Sequence, residues 1–108
     1  LILIRVLGVV NYNIFYLYRM MNKYLVEFLG TVFFLYVIIA TGNALAIGAA
    51  LAIAVMLGGN ISGGNFNPAV TIMMVVAGKQ PAKDALPYIL CQVAGGLAAF
   101  ELYRFVKI

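Results

Sequence analysis

The chain alternates long apolar runs with short polar punctuation. Residues 24–41, 44–57 and 85–103 form three such runs, each predicted as a membrane-spanning helix. Gly42-Asn43 marks a tight turn between the first two. The second run is short for a bilayer, so its helix must continue past Gly42 or Gly58, or the membrane must thin there. Its small residues fall on two rows four apart, Ala44-Gly48-Ala52 and Ala46-Ala50-Ala54, which suit close helix approach in lipid. Residues 1–20 are also apolar, but Arg5, Asn11, Asn13 and Arg19 interrupt them. They are expected to be an N-terminal extension outside the functional unit, residues 21–108, which starts at Met20 or Met21. The alternative is a further interfacial or spanning helix.

Between the second and third runs the pattern changes. Gly58, Gly59, Gly63 and Gly64, with Asn60, Ser62, Asn65 and Asn67 among them, predict an irregular loop over residues 58–67. Asn67-Pro68 then opens a helix over residues 69–77. Asn is a strong N-cap, and Pro at the first helical position has no N–H to lose. At 1.5 Å per residue that helix reaches roughly 14 Å, about half the hydrocarbon core. It is therefore predicted to dip into the membrane and end there. Gly78 and Pro81 stop it, and Asp84 is expected to cap the last span. The predicted fold is all-α: an integral membrane protein with three transmembrane helices and one re-entrant half-helix.

Irregular backbone at membrane depth is tolerated only inside protein or against a watery cavity, so the loop implies a pore or a site. A half-helix ending near the midplane places about half a positive charge there, which disfavours cations. With its oxygen committed to the cap, Asn67 keeps a free NH2 donor, an arrangement suited to a neutral solute.

Composition narrows the function classes. The chain is 66% hydrophobic and 9% charged, with net charge +4 from seven basic and three acidic residues. The basic residues Arg5, Arg19, Lys23, Lys79, Lys83, Arg104 and Lys107 lie at segment ends without a run or stripe. They read as anchors at the bilayer edge, and nucleic acid is not expected as a partner. With no His, one Cys and three scattered carboxylates, neither a metal site nor a nucleophile–base pair is expected. No cofactor and no enzymatic activity are expected. Glu27 lies just inside the first span, where an unpaired carboxylate is costly. It should face protein and accept hydrogen bonds, or else snorkel as an edge charge.

Ile61-Ser62-Gly63-Gly64-Asn65-Phe66-Asn67-Pro68-Ala69-Val70-Thr71 resembles the first pore loop of the aquaporin and glycerol-channel family, the major intrinsic proteins, with the pattern I-S-G-G-H-x-N-P-A-V-T. The departure is Asn65, where the family usually has His; this removes a titratable group from the pore vestibule. Glu27-Phe28-Leu29-Gly30-Thr31 is similar to the family's first span, and Tyr88-x-x-x-Gln92-x-x-Gly95-Gly96 to its third. The resemblance implies a pore lined by Asn67 and by the carbonyls of Gly63, Gly64, Asn65 and Phe66, with Pro68, Ala69 and Val70 starting the half-helix. It also implies that Glu27 holds backbone N–H groups of the loop, with Thr31, Ser62 and Gln92 as further supports. On the residues alone, Gln92 is an interhelical hydrogen-bond donor without a part in transport.

Family members carry two inverted units of this kind, whereas this sequence holds one Asn-Pro-Ala. The resemblance therefore implies a passive channel for water or small neutral solutes such as glycerol, completed by an antiparallel homo-oligomer in the lipid bilayer. The alternative is a non-conducting remnant, or a structural subunit that needs a separately encoded second half.

Overall fold

The computed structural model describes residues 1–106, with residues 18–20 described in backbone only. The edge roles expected of the Arg19 side chain and of Lys107 fall outside the described residues. Four α-helices follow in order: α1 (Ile2–Thr41), α2 (Ala44–Ser62), α3 (Pro68–Val76) and α4 (Ala85–Phe105), with a 3-10 turn, Ala82–Asp84, leading into α4. Among the described residues there is no strand. Three helices are long and apolar enough to cross a membrane: α1, α2, and α4 taken with its leading turn. The nine-residue α3 is the short one.

Two boundaries differ from expectation. The first helix starts at Ile2 rather than near Tyr24 and runs unbroken for 40 residues, roughly 60 Å. Nothing in residues 2–23 stops it: that stretch holds no Pro, and Gly8 is its single Gly. The second helix continues through Gly58-Gly59-Asn60-Ile61 to Ser62, which lengthens the short second span. Gly58 and Gly59 are therefore helical, and the irregular loop shrinks to residues 63–67. Gly58 serves packing rather than bending. A Cβ there would lie 2.6 Å from Val26 Cγ1, so its absence lets α2 close on α1.

The helix ends follow local rules. Gly42 (φ 55°) terminates α1 in the left-handed region, its N–H bonded to Ile38 O. Asn43 caps α2 by accepting from Ala46 N at 3.0 Å. Gly63 (φ 92°) ends α2 in the same way.

The helix α1 packs against both α2 and α4, and α3 rests on α4. The interior is largely polar: Glu27, Thr31, Ser62, Asn65, Thr71, Asp84 and Gln92 are buried. The exterior carries exposed Leu, Ile, Val and Phe along all three long helices. This distribution suits a hydrocarbon solvent, in which polar groups must find partners inside the protein. Of the two small-residue rows, Ala50 and Ala54 face inward, whereas Ala44, Gly48 and Ala52 are exposed. At the α1–α4 contact, a Cβ on Gly95 would meet Phe28 O and Thr31 Cβ, both at 2.9 Å, so these backbones nearly touch.

Asp84 does not cap α4 with its side chain. Its carboxylate instead receives Lys23 Nζ at 3.0 and 3.2 Å and Tyr24 Oη at 3.4 Å, pinning the α3–α4 connection to α1. The pair is shielded, with side-chain exposures of 21% for Lys23 and 5% for Asp84. Lys23→Met should lower stability by about 1–3 kcal/mol by leaving a buried carboxylate unpaired. Lys23→Met/Asp84→Asn should lose less than the two single changes summed, as measured by thermal unfolding in detergent.

Candidate functional site: the pore loop and its support

The loop between α2 and α3 hangs on one carboxylate. Glu27 is fully buried and accepts hydrogen bonds from Asn65 N (3.1 Å), Phe66 N (2.8 Å), Ser62 Oγ (2.7 Å) and Gln92 Nε2 (2.8 Å). No cation bonds it among the described residues. Four donors aimed at its two oxygens take the place of water around the charge. Its position on α1 thereby ties together α2, the loop and α4, and it is not a snorkelling edge charge.

Thr71, on the first turn of α3, is also fully buried. Its Oγ1 accepts from Gln92 Nε2 at 2.7 Å and Asn65 Nδ2 at 2.9 Å. Asn65 Nδ2 donates as well to Gln80 Oε1 at 2.8 Å. The polar chain thus runs from α1 through α4 to α3 and on to the connection after it. Tyr88 Oη donates to Ser62 O at 2.7 Å, satisfying a carbonyl at the end of α2, and the Tyr88 ring meets Tyr24 edge-on at 5.7 Å. Ser62 Oγ also accepts from Gly64 N at 3.1 Å.

Asn67 is exposed and caps α3, its Oδ1 accepting from Ala69 N at 2.8 Å with Pro68 at the first helical position. Its Nδ2 has no hydrogen-bond partner among the described residues. Gly63 and Ala69 are exposed beside it; Gly64, Pro68 and Val70 are half-buried.

Three of the expected positions have buried side chains. The Asn65 side chain is buried and donates to Thr71 Oγ1 and Gln80 Oε1. The Phe66 side chain is 1% exposed, while the expectation there concerned its backbone carbonyl. Thr31 is buried, but its hydroxyl has no hydrogen-bond partner among the described residues and does not reach the loop. It packs where α4 presents Gly95. Phe66 also adopts φ 54°, a left-handed conformation costing a non-glycine residue roughly 1–3 kcal/mol. Gln92 is an interhelical donor, and through Thr71 it also steadies the half-helix.

Thr71 and Tyr88 lie in stretches that carry the family resemblance, but their hydrogen-bonding roles, like that of Gln80, were not assigned from the sequence. Tyr88 carried a signal, since it lies one turn before Gln92 on the same face of α4. Among the described residues, no group of three His, Cys, Asp or Glu could hold a metal.

The family model for major intrinsic proteins matches residues 15–107. The chain belongs to the major intrinsic protein family. It is 44% identical over 88 residues to the glycerol uptake facilitator protein-like 6 of Lactiplantibacillus plantarum, a match covering 73% of this chain and 41% of that protein. It is 40% identical over 95 residues to Aquaporin Z of Brucella melitensis, covering 74% of this chain and 42% of that protein. The chain thus spans about two fifths of the length of these relatives. No solved structure matches it. Family membership and the three apolar helices make it an integral, multi-pass membrane protein, and its architecture is a partial aquaporin-like fold.

Proposed function

We propose that this major intrinsic protein chain forms half of a passive channel for water or a small neutral solute such as glycerol, with the pore completed by a second, inverted unit. The observation that carries the reading is Asn67: an exposed amide whose oxygen is used in the α3 cap and whose NH2 is unpaired, set at a helix N-terminus. The aligned peptide dipoles of α3 put about half a positive charge there, which repels cations while the amide donates to a passing hydroxyl or water. The carbonyls of Gly63 and Gly64, together with those of Asn65 and Phe66, supply acceptors on the approach. Family names such as glycerol uptake facilitator and Aquaporin Z support this solute class. The family's channel character points away from an enzyme.

Three spans with an exposed loop cannot surround a solute, so a second unit, further along the same polypeptide or on another, must face Asn67. A second copy inserted in the opposite orientation supplies it, because inverted repeats in transporters are related by a two-fold axis in the membrane plane. The same chain then presents two Asn67 amides and two helix ends to one pore. In the alternative, a different polypeptide bears the second unit. The Lys and Arg distribution favours that reading if Arg5 and Arg19 lie on the side of Lys23, Lys79 and Lys83, opposite Arg104 and Lys107, because a biased chain inserts in one orientation.

The test is osmotic swelling and shrinkage of liposomes containing the purified full chain, with water and with glycerol. Permeability above empty liposomes is expected, and Asn67→Leu should return it to background while leaving the fold intact. Folded wild-type protein without flux would overturn the self-sufficient channel and turn the search to a separate second half.

A further inference from the structure

Phe66 and Asn67 are neighbours in the chain that face opposite ways: the ring is buried and the amide exposed. The ring has a seat prepared for it. A Cβ built on Gly30 would lie 2.7 Å from Phe66 Cδ1 and Cζ, and closer still to Cε1. One built on Gly58 would lie 3.3 Å from Phe66 Cζ, and one on Gly64 would lie 3.5 Å from Cε2. Glycines on α1 and α2 therefore form a notch that the ring fills: Gly30 has no room for alanine while the ring stays, whereas at Gly58 the ring is a tight neighbour and Val26 Cγ1, at 2.6 Å, the closer obstacle. Phe66 is also the single non-glycine residue with positive φ among the described residues. Such a conformation persists only where the surroundings enforce it. Here they do so twice, through the seated ring and through the bond from Phe66 N to Glu27 Oε1.

The geometry points to Phe66 as the positioning residue for Asn67: its ring, locked between Gly30 and Gly58, holds the left-handed turn from which the capping asparagine departs. Asn67 follows directly, with a backbone set by that turn on one side and by Pro68 on the other. Without the ring, residue 66 can relax to negative φ, and Asn67 swings with it. The functional consequence rests on Asn67 being the solute contact; the geometry does not, and it can be tested without flux.

The experiment uses the full chain in detergent micelles with Cys91→Ala, and Ala69→Cys as reporter of the exposed first turn of α3. Its rate of reaction with a small water-soluble methanethiosulfonate is followed. Phe66→Ala should change that rate several-fold at unchanged helix content, and Phe66→Leu should keep it nearer the parent. Gly30→Ala should also change the rate, but should add nothing in a Phe66→Ala background, because the methyl then enters empty space. An unchanged rate in Phe66→Ala, or an equal effect of Gly30→Ala in both backgrounds, would overturn the assignment. If Gly30→Ala alone cannot be recovered folded, recovery of Gly30→Ala/Phe66→Ala supports the notch and failure of both rejects it. In liposomes, Phe66→Ala should shift the ratio of water to glycerol permeability. Absence of flux from the parent, with the thiol pattern as expected, would remove the channel reading and leave the positioning role standing.

Discussion

Glu27→Ala should leave a chain that does not hold its pore loop and is recovered poorly from the membrane. The change removes the acceptor for two loop amides, the Ser62 hydroxyl and the Gln92 amide in one step. Each buried donor left unpaired costs about 1–3 kcal/mol, so the two loop amides and one Gln92 hydrogen together cost at least about 3 kcal/mol. That is a large part of the whole stability of a typical domain, about 5–15 kcal/mol. Relief from burying a carboxylate offsets part of the loss, and the Ser62 hydroxyl can turn to Gly58 O at 3.4 Å, but the Asn65 and Phe66 amides lose their acceptor. Glu27→Gln separates shape from charge. One acceptor oxygen survives, whereas the new NH2 must oppose either the Ser62 and Asn65 donors or the Phe66 and Gln92 donors. An intermediate loss is expected. Thermal unfolding in detergent, followed by far-UV circular dichroism, checks both variants. A Glu27→Ala midpoint within a few degrees of the parent would mean that the carboxylate is not what holds the loop.

Gly95→Val should be nearly as damaging, by a route that touches no polar group directly. Its Cβ would stand 2.9 Å from both Phe28 O and Thr31 Cβ, and one of those partners is backbone that cannot swing aside. The helix α4 must then retreat from α1. Gln92 lies one turn before Gly95 and is also buried, so its bonds to Glu27 (2.8 Å) and Thr71 (2.7 Å) would stretch or break with that movement. Overpacking of this kind costs about 1–3 kcal/mol, and the lost hydrogen bonds add to it. Gly48→Ala is the matched control. Gly48 is exposed on α2 with nothing within 4 Å of an added Cβ, so the change should be neutral or raise stability by up to about 1 kcal/mol through helix propensity. Equal midpoints for Gly95→Val and Gly48→Ala would remove the close α1–α4 contact from the account.

The helical architecture was legible because in lipid the apolar runs must satisfy their own backbone, and length alone separates spans from a half-helix. The Asn67-Pro68 start of α3 was equally legible, since capping depends on neighbours in sequence. The glycines misled. Gly58 and Gly59 suggested a loop, yet they are helical, and the absent side chain of Gly58 is read by Val26 and Phe66 from elsewhere. A glycine that bends the chain and one that admits a neighbour look alike in sequence. Asp84 misled for a similar reason. It can cap a helix locally, but Lys23, far along the chain, offers a charged partner and takes the carboxylate instead.

The sequence by itself determined a membrane-embedded helical chain with an Asn-capped half-helix and a loop that needs support, because hydropathy, helix periodicity and capping act over a few residues. Only the tertiary structure decided which polar groups support that loop and which way its side chains face. Glu27, Gln92, Thr71 and Asn65 come from separate segments, and burial pairs each donor with whichever acceptor the helix packing brings within reach. That pairing depends on shape across the bundle, which no local stretch of sequence encodes.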